Sequence, residues 1–171
     1  GLLDAVVAAG AHRLLRYDPA AEVTSDGTDF GWLDLSHVLT YAAACRWAWR
    51  SHPGPDTARL ALWSAFQAHY AGRRGYVELD AVDTSTAGEA GPAAPDPTDL
   101  CRRALEDRAG SFIVTAHLVK TSAAAVSEAE ATGSDRPLAA AARLVEAPRR
   151  ERFVALNVRK AIDLADGRVP E

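Results

Sequence analysis

Apolar residues recur along most of the chain at three- and four-residue intervals, and no run alternates with period two. That pattern predicts helices rather than strands. The expected helices are Leu2–Arg16, Asp34–Arg50, Pro55–Ala71, Asp99–Ala109, Ser111–Ala131, Pro137–Glu146 and Arg149–Asp166. Local breakers set most of these limits: Tyr17-Asp18-Pro19, then Ser51-His52-Pro53-Gly54-Pro55, then Gly72-Arg73-Arg74-Gly75. Pro55 falls where a first-turn proline is tolerated, and Gly167 where a C-terminal cap glycine belongs. The expected fold is all-α, a single-domain bundle or orthogonal array of six or seven helices over residues 1–171. A linker rich in Ala, Gly and Pro, "TSTAGEAGPAAPDP" from Thr84 to Pro97, interrupts it.

Composition narrows the function classes. A chain of 171 residues with 48% hydrophobic and 25% charged residues suits one globular domain. A net charge of −4 carries no electrostatic footprint for nucleic acid, and no apolar run suffices for a membrane span. Cys45 and Cys101 form no CxxC motif, so reduced thiols in a cytoplasmic protein are expected. The chain does not begin with methionine, which suggests a trimmed chain or a piece of a longer one. GxGxxG, P-loop, nucleophile-elbow and HExxH motifs are lacking, which disfavours nucleotide-dependent and standard hydrolase chemistry.

The histidines carry the chemistry that remains. His52 falls in a Pro/Gly break, whereas His12, His37, His69 and His117 each fall inside a different predicted helix. Steps of three and four residues place His37 with Asp34, Thr40, Tyr41 and Ala44, and His117 with Thr121 and Ala124, Lys120 projecting nearby. The same steps align His69 with Ala58, Leu62, Ala65 and Phe66, an apolar side expected to face inward. His12 shares a side with Ala5 and Ala8.

Inward histidines on separate helices are how helical bundles hold metals, and each can equally be a core imidazole that has found a hydrogen bond. Asp34 reads either as a ligand beside His37 or as a helix N-cap. The metal expected is iron, because the donors are imidazole and carboxylate without a cysteine cluster; zinc, copper and haem stay open. Tyr41 is the candidate proton donor, Lys120 the candidate charge stabiliser and Asn157 a candidate supporting hydrogen-bond partner. Trp32, Trp47, Trp49 and Trp63 are expected to cement the second and third helices or to wall an aromatic pocket.

The stretches "GWLDLSHVLTYAAACR" (Gly31–Arg46) and "AHLVKTSAAAVSEA" (Ala116–Ala129) resemble the questin oxidase-like family of helical oxidoreductases. The resemblance rests on an Asp-x-x-His-x-x-Thr helix and a later His-x-x-Lys helix. It implies oxygenase chemistry with His37 and His117 in the site and Asp34, Thr40 and Lys120 beside them. The His-Pro-x-x-His motif of fungal members and a Rieske Cys-x-His pair are absent from the sequence.

Two functions follow as expectations. One is a histidine-ligated, metal-dependent oxidoreductase acting on an aromatic or polyketide-like molecule. The other is a non-catalytic helical ligand-binding or accessory domain. The expected partners are a small-molecule substrate and a second copy or a partner domain, with neither nucleic acid nor membrane.

Overall fold

In a computed structural model, which describes residues 1–16, 32–71, 93–106, 112–147 and 161–168, the protein is all-α, and no strand occurs among those residues. The helices are α1 (Leu2–Arg16), α2 (Trp32–Ser51), α3 (Pro55–Ala71), α4 (Pro97–Leu105), α5 (Phe112–Thr132) and α6 (Arg136–Glu146). A further helical stretch covers 161–165. Among the described residues no helix is long and apolar enough to cross a membrane. The expected linker falls mostly outside the described residues, as do Asn157 and the first half of the expected last helix.

Helix limits follow local chemistry. The Asp96 carboxylate accepts a hydrogen bond from the Asp99 amide at 3.0 Å, with Pro97 opening α4. At α3 the Thr57 hydroxyl accepts from the Gly54 amide at 3.0 Å, just before and within the first turn. Gly133, at φ 68°, lies just past α5. Gly167, at φ 71°, closes the last described helical stretch as expected. There the Arg168 amide donates to the Asp163 carbonyl at 2.7 Å and the Gly167 amide to Leu164 at 3.1 Å, the paired bonds of a Schellman cap.

Helix α2 is central. It packs against α1, α3 and α5, while α6 packs against α1 and α5, and α4 against α5 and α6. Its buried stripe is Leu35, Val38, Leu39, Ala42 and Cys45, at helical spacing. Facing it are Val6, Val7, Ala11 and Leu14 of α1 and Leu118 and Ala125 of α5. Burying a leucine such as Leu35, Leu39 or Leu100 contributes about 1.5–3 kcal/mol each. Gly10 permits α1 to approach α2 closely: a Cβ there would stand 3.0 Å from Val38 Cγ1.

Helix α3 is turned differently from the expectation. Its buried residues are Ser64, Ala68 and Ala71, whereas Leu62, Trp63 and Phe66 are 64%, 60% and 58% exposed. Small side chains let α3 lie close to its neighbours, and the larger apolar residues stand outside. Trp63 meets Phe66 edge-on at 5.9 Å, and Phe66 stacks on Tyr70 at 6.5 Å. Trp47, Trp49 and Trp63 are all exposed, and none of them lines the cleft between α2 and α5. Arg13 donates to the Ala68 carbonyl near the end of α3, satisfying one of the acceptors that a helix C-terminus leaves open.

Candidate functional site: the cleft between α2 and α5

The face of α2 adjoining its buried stripe carries His37, Thr40, Tyr41 and Ala44, residues three, four and seven apart. On α5 the same spacing aligns His117, Lys120 and Ala124. Where these faces meet they leave a cleft of about 390 Å³, lined by His37, Thr40, Tyr41, Ala44, Lys120 and Ala124, with Gln67 added from α3. His117 stands beside His37 with ring centroids 5.3 Å apart and planes inclined by 52°.

The imidazoles are held differently. His117 Nδ1 lies 2.7 Å from the Ile113 carbonyl oxygen. A carbonyl only accepts, so Nδ1 carries the proton and the lone pair of a neutral His117 sits on Nε2. His37 is half-buried, and burial is the main reason its pKa falls below the ordinary histidine value; Lys120 and His117 push the same way, and Asp34 opposes them. A neutral imidazole on His37 is therefore favoured around pH 7.

Lys120 keeps much of its surface in solvent while lining the cleft, and burial lowers its pKa. Thr40 donates to the His37 carbonyl at 3.5 Å, a weak bond along the helix. The pKa of Tyr41 is raised, first by burial and then by the buried Cys45 one turn away. The Cys45 thiol donates to the Leu60 carbonyl at 3.3 Å.

The structure brings together four expected site residues: His37, His117, Tyr41 and Lys120. Asp34, in the first turn of α2, acts on His37 electrostatically from one turn away. The helix begins two residues before it, so Asp34 is not the N-cap. His69 and His12 do not join the cleft. His69 is exposed on α3, two positions past Gln67 and so on another side of that helix. His12 is exposed on α1, where burial lowers its pKa and Arg16, Arg136 and Arg13 add to the effect. Positive neighbours on that scale disfavour a metal cation. Among the described residues no group of three or more His, Cys, Asp or Glu side chains could hold a metal ion. Of the expected ligands His37, His69 and His117, with His12 or Asp34 as a fourth, the structure brings His37 and His117 together, sets Asp34 one turn from His37, and leaves His12 and His69 off the cleft.

A second constellation escaped the sequence. Arg46 of α2 donates from Nε to both carboxylate oxygens of Glu128 on α5, at 3.1 and 2.9 Å, and from Nη2 to Asp4 of α1 at 2.7 Å. Glu128 is fully buried and Arg46 mostly so. An isolated glutamate late in an alanine-rich helix carries no mark of burial; only its position on the Leu118–Ala125 side of α5 hints at it.

No protein-family model, no curated protein and no solved structure matches the chain.

Proposed function

We propose that the α2–α5 cleft is the working site of the protein, and that His37 acts there as a proton acceptor toward a small organic molecule. The observation that carries this reading is that His37, with the His117 ring 5.3 Å from its own, lines a cleft that a small ligand can enter. A general base near neutral pH needs an uncharged imidazole, and burial beside Lys120 and His117 favours that state for His37. In the reaction class proposed, a C–H proton next to a carbonyl passes to a ring nitrogen of His37, and its electron pair remains on the substrate as an enolate. Lys120 faces the charge that develops. The test is solvent exchange: a panel of small carbonyl compounds in D₂O is followed by NMR for replacement of their acidic C–H protons. Exchange that disappears in His37→Gln supports the reading. Binding without exchange assigns the cleft instead to a non-catalytic ligand-binding or accessory domain.

The second reading is the histidine-ligated metal oxidoreductase, acting on an aromatic or polyketide-like molecule, that the resemblance to the questin oxidase-like family implies. Imidazoles sharing one tetrahedral metal at about 2.1 Å have ring centres about 5 Å apart. The 5.3 Å between His37 and His117 is close to that spacing. The donor set is short, because two imidazoles are fewer than the three protein ligands of a usual catalytic site. Near-stoichiometric iron in untagged protein, lost in both His37→Ala and His117→Ala, would favour this reading over the first.

A further inference from the structure

We propose that the α2–α5 cleft selects a small organic anion, its acidic group held by the ammonium of Lys120 beside the polar side chains of Tyr41 and Gln67. The inference rests on the cleft being the ligand site, as proposed above, and adds the chemical class of the ligand.

Several arginines elsewhere in the molecule are tied to carboxylates, whereas Lys120 lines the cleft. Arg46, Arg59, Arg102, Arg103 and Arg168 each pair with at least one carboxylate. Among the described residues no carboxylate pairs with Lys120, and no acidic neighbour offsets the effect of burial on it. The rest of the lining is uncharged at neutral pH: Thr40, Tyr41, Gln67, two alanines and the His37 imidazole. Lys120 is therefore the only charged side chain among the residues that line the cleft. A cation beside low-dielectric walls attracts an anion more strongly than the same cation on an open face.

The neutral groups define the rest of the ligand. The Tyr41 hydroxyl, which can donate or accept, stands on the cleft wall for a polar group of the ligand. Gln67, entering from α3, offers an amide on the cleft wall. The volume of about 390 Å³ lies at the small end of ligand pockets. Carboxylate and phosphate share the chemistry that Lys120 recognises.

The experiment follows amide and imidazole NMR resonances of the full chain during titration with benzoate, phenyl phosphate and the neutral isostere benzamide. Both anions are expected to shift the His37, Tyr41 and Lys120 signals and to bind about tenfold more tightly than benzamide. Lys120→Met, which keeps the apolar stem, should erase that preference, and Lys120→Arg should keep it. Tighter binding of phenyl phosphate than of benzoate assigns the site to phosphate compounds, and the reverse order to carboxylates. Equal affinity for benzamide and benzoate, or a preference that survives in Lys120→Met, overturns the anion inference while leaving the cleft as a ligand site. If all three probes bind and shift only signals remote from the cleft, both the inference and the cleft reading fail.

Discussion

Arg46 holds Glu128 through its Nε at 2.9 and 3.1 Å, joining α2 to α5 at a carboxylate that no solvent reaches. Asp4 occupies the other side of the same guanidinium, so three helices meet at one cation. A buried ion pair is weak evidence for stability, because desolvating both charges offsets their attraction. Breaking one is a different matter. Arg46→Met leaves the Glu128 carboxylate buried without its cation and is expected to lower unfolding free energy by about 3–5 kcal/mol in urea melts. Replacing both partners, Arg46→Met with Glu128→Leu, should recover most of that loss. A double variant as unstable as the single one would place the damage in packing instead.

The outward turn of α3 makes a prediction of its own. Leu62 and Phe66 are more than half exposed, whereas Ala68 is 7% exposed. Leu62→Ser and Phe66→Ser are therefore expected to change stability by no more than about 0.5 kcal/mol. Ala68→Leu forces added volume between closely packed helices and should cost about 1–3 kcal/mol. Denaturation midpoints of the three variants decide it. A large loss in Phe66→Ser would restore the inward face that hydrophobicity alone suggests.

That reversal shows where periodicity succeeds and where it stops. The limits of α1 and α3 were legible from breakers and that of α6 from its first-turn proline, all local signals, and the expected and observed helices agree within a residue. The grouping of His37 with Thr40, Tyr41 and Ala44 was equally legible, because any helix fixes it. Which face of α3 turns inward was not. Hydrophobic scoring favours Leu62 and Phe66, but close helix approach selects Ser64, Ala68 and Ala71 for their size. The meeting of His37 with His117 and the separation of His12 and His69 depend on how helices cross, and no helix encodes that in its own spacing. The Arg46–Glu128 pair was hidden for the same reason: each charge looks solvent-facing until its partner is placed.

The contact at Gly10 is a case where small size is decisive. Any Cβ there meets Val38 Cγ1 at 3.0 Å and the Leu39 amide nitrogen at 3.4 Å. Gly10→Val therefore presses further against a neighbour that is itself 1% exposed, and is expected to cost about 1–3 kcal/mol despite the better helix propensity of valine. Combining it with Val38→Ala makes room and should return part of the loss. Thermal or urea unfolding of the single and double variants measures the coupling, and strict additivity would rule out the contact as the cause.

The state of His37 gives stability a pH dependence whose sign is fixed. Its folded pKa lies below the unfolded value of 6.5, chiefly through burial and then through Lys120 and His117, with Asp34 opposing. In the window just below pH 6.5 the unfolded chain binds more protons than the folded one, so stability rises with pH there. Acidification from pH 7 thus draws the protein toward the unfolded state, until pH falls beneath the folded pKa and this contribution levels off. His12 contributes in the same direction. His37→Gln, which keeps a polar group of similar size but cannot titrate, should flatten the slope of unfolding free energy between pH 7 and the folded pKa. His12→Gln should flatten it separately, because the imidazoles lie in different parts of the fold and should add. Urea midpoints at closely spaced pH values give the slope for each variant. A wild-type slope unchanged by His37→Gln would mean that His37 titrates alike in both states, and the neutral imidazole proposed as the proton acceptor would lose its support.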